Sequence, residues 1–313
     1  MRSFSSRRQF VLAGGTLLAA GAVPAMRWRR NAHRQPERFR FGLNTGTLRG
    51  YKLGLPEQIE VAGRAGYDGI EPWLADIDRF VDGGGSLKDL KQRCRDLGLE
   101  VYSSIGFAQW IVDDDAVRAK GLEQLRRDMS RVSGLGGSRI AAPPAGATEA
   151  SVVLDQARMA EHYRTILELG RDLGVVPQLE IWGFSANVGN LADALAVAAR
   201  TGHPDACILA DVFHLYKGGS APASLHLLSR SAAHVFHMND YPAVPDRATI
   251  TDAQRVWPGD GVAPLQEILG YLVANDCRLF LSLELFNREY WKLPVDECAR
   301  IGLAKMKAAV ADE

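Results

Sequence analysis

Four side chains able to bind metal or carry protons stand where buried-strand patterns end: Glu180, Asp211, His237 and Glu284. Asp211 closes the apolar run Ala206-Cys207-Ile208-Leu209-Ala210, and Glu180 closes Val175-Val176-Pro177-Gln178-Leu179. His237 closes Ala232-Ala233-His234-Val235-Phe236, and Glu284 closes Leu279-Phe280-Leu281-Ser282-Leu283. An ionisable group at the exit of a buried strand is costly unless it is paired or holds a metal. Three carboxylates and an imidazole brought together could bind a cation and move protons. Successive members lie 31, 26 and 47 residues apart. One βα unit takes roughly 30 residues, so the first two gaps fit single units and the third a unit with a longer loop.

The elements needed to position such a set can be read along the chain. Strands are expected at 39–44, 67–71, 100–105, 138–142, 175–180, 206–211, 232–237 and 279–284. Helical periodicity is expected from Pro56 to a stop at Gly66, and over 87–97, 117–132, 153–173, 191–199, a short 224–229, 265–274 and 295–310. A long polar loop fills 239–261. Strands alternating with helices imply a parallel sheet, and eight such units in one domain over 39–313 imply an α/β fold of the closed (β/α)₈ TIM-barrel type. The rival is an open doubly wound sheet, against which stands the lack of a G-x-G-x-x-G at the first βα turn. Side-chain alternation puts Ser282 and Glu284 inside the barrel, with Leu281, Leu283 and Leu285 against the helices.

These residues resemble the xylose isomerase-like TIM barrels, in particular the sugar (phosphate) isomerase/epimerase family. The matching motifs are Glu180 in QLEIWG, D-x-x-H as Asp211 and His214, and H-x-N-D as His237, Asn239 and Asp240. Arg255 before Pro258-Gly259-Asp260-Gly261 and Glu284 in LSLELF complete the match. The resemblance implies one divalent cation held by Glu180, Asp211, His237 and Glu284. Such an oxygen-rich set favours Mn²⁺ or Mg²⁺ and is compatible with Co²⁺, Fe²⁺ or Zn²⁺. It further implies abstraction of a proton beside a sugar carbonyl through a metal-stabilised ene-diolate, with Glu180 and Glu284 as the acid/base pair. His214 and Arg255 would hold substrate oxygens, with a core role for His214 as the alternative. Lys217 and Glu71 are candidate substrate contacts, each equally readable as a solvated or rim residue. Trp110 is a candidate stacking surface or rim packing, as are Trp73 and Phe107.

Two other functions remain open on the sequence. A lyase or hydratase acting on 3-keto-glycosides would use the same proton abstraction, and a non-catalytic sugar-binding barrel would keep only the pocket. A metal-cluster nuclease is disfavoured by the seven histidines and zero formal charge, which also give no sign of a nucleic-acid partner. The expected partner is a small sugar or keto-sugar; an oligomer is compatible with the composition.

Residues 1–25 carry Ser6-Arg7-Arg8-Gln9-Phe10 and a glycine-containing apolar run ending at Val23-Pro24-Ala25. They read as a twin-arginine signal peptide, recognised by the twin-arginine translocase and cleaved to leave a periplasmic or secreted protein without a membrane anchor. Residues 26–38 read as a basic tether. Cys94, Cys207, Cys277 and Cys298 form no C-x-x-C pair and are expected to be buried free thiols.

Overall fold

The structure is a computed structural model that describes residues 38–311. The expected signal segment and all but Arg38 of the expected tether lie outside the described residues. Eight strands form the sheet: β1 (Phe39–Asn44), β2 (Gly69–Glu71), β3 (Glu100–Val101), β4 (Arg139–Ala142), β5 (Val176–Glu180), β6 (Ile208–Asp211), β7 (Val235–Met238) and β8 (Leu279–Leu283). All pair in parallel, in the order β3-β2-β1-β8-β7-β6-β5-β4. The ring closes where the Ala141 amide donates to the Ser104 carbonyl at 2.8 Å, just beyond the short β3. This is the expected (β/α)₈ barrel.

Nine α-helices cover the described barrel: α1 (Leu55–Ala65), α2 (Leu74–Asp82), α3 (Leu87–Asp96), α4 (Asp115–Leu135), α5 (Gln156–Leu173), α6 (Leu191–Arg200), α7 (Val212–Lys217), α8 (Leu265–Ala274) and α9 (Val295–Ala311). The glycine stops hold: Gly66 and Gly174 adopt φ of 87° and 69°, in the left-handed region that ends a helix without steric cost. Two helices differ from the periodicity reading. α2 follows β2 directly, and α7 follows β6 with no intervening loop. Asp211 itself starts α7, its Oδ1 accepting from the His214 amide at 2.7 Å. The D-x-x-H spacing is therefore helix-cap geometry. Near 224–229 the chain forms a 3₁₀ turn, Pro222–Leu227, in place of an α-helix.

Two apolar layers support the mouth. One lies between strands and helices, and the other fills the barrel with Tyr102, Ile105, Ala141, Leu209, Val235 and Phe280. Tyr102 stacks on Phe280 with centroids 4.1 Å apart. Its ring fits because β1 presents Gly42 to it; a Cβ there would overlap the Tyr102 ring. All four cysteines are buried and free. Among the described residues no helix is long and apolar enough to cross a membrane.

Candidate active site

Register brings the site together. Asp211 pairs with His237 across β6 and β7, and His237 with Ser282 across β7 and β8. Glu180 ends β5, and Glu284 follows β8. Asp211, His237 and Glu284 each offer a donor atom within 4.8 Å of the others, and all three are buried. Glu180 lies outside that compact trio but lines the same pocket as Glu284.

The four groups differ in what already holds them. His237 Nε2 meets Glu71 Oε2 at 3.0 Å. His237 Nδ1 has no hydrogen-bond partner; it sits 3.3 Å from Glu284 Oε2 and 3.8 Å from Asp211 Oδ2. Glu180 Oε2 is also buried without a partner. Glu284 is anchored at both oxygens: Asn44 Nδ2 donates to Oε1 at 3.0 Å and Arg255 Nη1 to Oε2 at 2.8 Å. Asn239 and Arg255 donate to Asp211 Oδ2, at 2.8 and 3.1 Å. An orphaned imidazole nitrogen facing two carboxylates, with an orphaned carboxylate oxygen in the pocket that one of them lines, fits a divalent cation. In the structure the Arg255 guanidinium supplies positive charge to that spot.

Electrostatics separate the two glutamates. Burial pushes Glu180 up to about 8, with Glu284 and Glu71 adding to it against His237. Burial alone would raise Glu284 too, but His237 and Arg255 outweigh it and bring it down to about 2. Burial would depress His237, yet the Glu284 and Glu71 carboxylates lift it well above its ordinary range. Burial and Arg255 together hold His214 below its ordinary value.

Glu71 is not at the substrate face. It is fully buried behind His237, where its Oε2 also accepts from Asn44 Nδ2 at 2.9 Å and Ser282 Oγ at 2.7 Å. Tyr102 Oη donates to Ser282 Oγ at 2.6 Å, so a hydrogen-bonded chain runs from the barrel floor to the imidazole. Glu71 thus positions His237 and leaves its Nδ1 facing Asp211 and Glu284. Trp110 is likewise displaced from its expected place. It is 1% exposed, donates to the Pro143 carbonyl and packs on Tyr163, as core. Lys217 points to the loop after β7, donating to the Ala248 and Ile250 carbonyls at 2.8 and 3.0 Å. That engagement makes it a loop clamp and takes it out of the pocket.

Arg255 and His214 do line the pocket, with His214 Nε2 3.0 Å from Arg255 Nη2. The loop carrying Arg255 is pinned by Asp240. Its backbone forms a two-way bridge with Val256, and its carboxylate accepts from the amides of Gly259, Gly261 and Ala263. Gly261 is required there, because a Cβ would overlap Asp240 Oδ1 and the Tyr241 carbonyl. The H-x-N-D and P-G-D-G motifs are thereby one structural unit.

The pocket walls are aromatic: Trp73, Phe107, Trp182, Phe184 and Phe286 surround Glu180 and Glu284. Its volume of about 140 Å³ is well below that of a drug-sized site, which selects a compact ligand. Trp182 and Phe286 went unread in the sequence although each sits two residues past a site glutamate, on the face alternation predicts. Asn44 was also legible as a polar residue ending a strand. Asp252, which pairs with Arg255, lies in the loop and carries no such signal.

Residues 59–309 match the family model described as xylose isomerase-like TIM barrel. An inosose isomerase of Bacillus velezensis is 24% identical over 82% of this chain and 92% of its own length. A 3-dehydroshikimate dehydratase of Pseudomonas aeruginosa is 25% identical over 80% of this chain, which spans only 39% of that protein. The crystal structure of the IolI protein with a bound zinc atom superposes with a TM-score of 0.79 at 22% identity, covering 87% of this chain and 98% of that one. The chain belongs to the xylose isomerase-like TIM-barrel family.

Proposed function

We propose that this xylose isomerase-like barrel is a divalent-metal-dependent enzyme that moves a proton beside the carbonyl of a small polyhydroxylated ketone, as an isomerase or epimerase. The observation that carries the reading is the unpartnered Glu180 Oε2 beside the buried trio of Asp211, His237 and Glu284. Asp211, His237 and Glu284, with Glu180 as the fourth ligand, would hold a divalent ion, whose chemistry when bound would be the positive charge that acidifies the C–H next to a carbonyl. Glu180 takes and returns the proton at Oε2, a buried carboxylate oxygen that no donor occupies. Glu284 serves the opposite face. His214 and Arg255 orient substrate oxygens, and the aromatic walls exclude water from the reacting carbon.

The inequality of the two glutamates favours one second reading, a dehydratase. A single carboxylate can remove the α-proton to leave an enolate. The carboxyl so formed gives that proton to the β-hydroxyl as the C–O bond breaks and the C=C bond forms, so that water leaves and the carboxylate is regenerated. The similarity to a dehydratase over most of this chain supports keeping it. The test is metal-loaded protein incubated with ketohexoses, cyclic keto-polyols and 3-keto-glycosides, with products read by NMR. A moved carbonyl or an inverted carbinol supports isomerisation, an unsaturated ketone supports elimination, and no turnover of any of them refutes both.

A further inference from the structure

A second cavity lies on the other side of Trp73, between the chain after β1 and the helices α1 and α2. Its volume is about 400 Å³, nearly three times that of the aromatic pocket, and Arg49, Lys52, Gln58, Trp73, Asp76 and Arg79 line it. Three cations face one carboxylate there, and that carboxylate is already engaged: Arg79 Nη1 donates to Asp76 Oδ1 at 2.9 Å. Among the described residues Arg49 and Lys52 have no carboxylate partner. Arg49 is instead parked over the Trp73 ring, 4.2 Å from its centroid. Lys52 is held at a φ of 54°, a conformation glycine would adopt freely, and nothing in the local turn requires a lysine there.

Gln58 supplies an independent signal. It is 2% exposed, and its Nε2 donates to the Leu53 carbonyl at 3.1 Å and to Asp76 Oδ2 at 3.3 Å. Its Oε1 is buried without a donor, on a side chain that lines the cavity. A buried acceptor left without a donor is costly, and a ligand hydroxyl would satisfy it. Two unpaired cations call for an anion, and the orphaned amide oxygen calls for an O–H beside it.

We propose that this cavity is a binding site for an acidic polyol, a hydroxylated carbon chain carrying a carboxylate or phosphate. Arg49 and Lys52 take the anionic group and Gln58 Oε1 accepts from a neighbouring hydroxyl. Trp73 is the shared wall through which occupancy reaches the aromatic pocket: an anion that draws Arg49 away uncovers one face of the indole whose edges meet Phe107 and Phe286. The site stands whether or not the reaction assigned above is correct.

The test is calorimetric titration of metal-stripped full-length protein, so that the ligand's carboxylate cannot be read as metal chelation. The probes are D-gluconate, sorbitol 6-phosphate and neutral sorbitol at low salt. One or both of the acidic probes should bind and sorbitol bind at least about tenfold more weakly, since it has no anionic group to accept charge-assisted hydrogen bonds from Arg49 and Lys52. Binding should fall on raising salt to about 0.5 M, where exposed charges are screened. The double variant Arg49→Gln/Lys52→Gln should lose the acidic probe; both side chains are exposed, so the fold should persist. Glu180→Gln, in the other pocket, should bind it as wild type does. Equal binding of sorbitol and the acids, retention in the double variant, loss in Glu180→Gln, or no binding at all would each overturn the proposal.

Discussion

Replacing Glu71 with Gln changes one charge and almost no volume, and it tests whether this residue governs the imidazole. Glu71 Oε2 takes three hydrogen-bonding groups: Asn44 Nδ2, Ser282 Oγ and His237 Nε2. A Gln oxygen can accept from the first two but turns the charge-assisted bond to His237 into a neutral one, of roughly half the strength. The imidazole then becomes a weaker donor at Nδ1. Loss of such a partner lowers metal affinity roughly 10- to 100-fold, about 1.4–2.7 kcal/mol. Glu71 Oε1 has no hydrogen-bond partner, so the new amide would be buried without an acceptor. That cost falls on the metal-free and metal-bound proteins alike, so affinity is the readout and melting temperature is not. The assay is titration of stripped protein with Co²⁺ or Zn²⁺ against a chromophoric chelator, between about pH 7 and pH 9. The range matters because Glu71 also strengthens the proton's hold on His237; at the alkaline end that competition fades and the loss of ligand strength stands alone. A dissociation constant in Glu71→Gln within twofold of wild type at alkaline pH would refute the positioning role.

Three further outcomes are expected. Asp211→Ala and His237→Ala should each lose tight metal binding, seen as absent stoichiometric metal after dialysis; retention of one ion per chain in both would remove the trio as the site. Asp128, buried on α4 near Asp78, is pushed up to about 6 by burial and that neighbour, so the fold carries a penalty that grows as pH rises from about 4 through 6 and is full above it. Asp128→Asn should therefore stabilise the protein by about 1–3 kcal/mol at pH 8 and by little at pH 4.5 in urea melts; an equal effect at both would contradict the assignment. Arg7→Lys/Arg8→Lys should leave the precursor in the cytoplasm, and normal export and cleavage of the double variant would remove the twin-arginine reading.

The barrel was legible because buried strands with polar last residues recur at βα spacing, and period-two alternation turned Glu284 and Ser282 inward. The same rule reached Asp211 and His237, but not the roles of their neighbours. Glu71 also ends a strand, yet only the register of β2 on β1, and of β1 on β8, puts it behind His237 instead of in the pocket. Trp110 lies in irregular chain after β3, where no periodicity gives side-chain direction, and its indole turned to the Pro143 carbonyl. α7 has six residues, too few for a helical period to show in the sequence. Lys217 stands at its end, so missing that helix meant missing that Lys217 faces the β7 loop. Trp182 and Phe286 were within reach of the alternation argument, had it been continued two residues past each glutamate.

Glu180 is proposed to move a proton at carbon beside a carbonyl. The most direct test is deuterium incorporation from D₂O into recovered keto-polyol by metal-loaded wild type and Glu180→Gln, with bound metal quantified in both. Gln preserves volume and one oxygen ligand but cannot accept a proton, and a positioned base contributes about 10²–10⁴-fold. Exchange is expected at the carbon next to the carbonyl in wild type, with a loss of about that size in Glu180→Gln while metal stays bound. Exchange at the wild-type rate in metal-loaded Glu180→Gln would contradict that role.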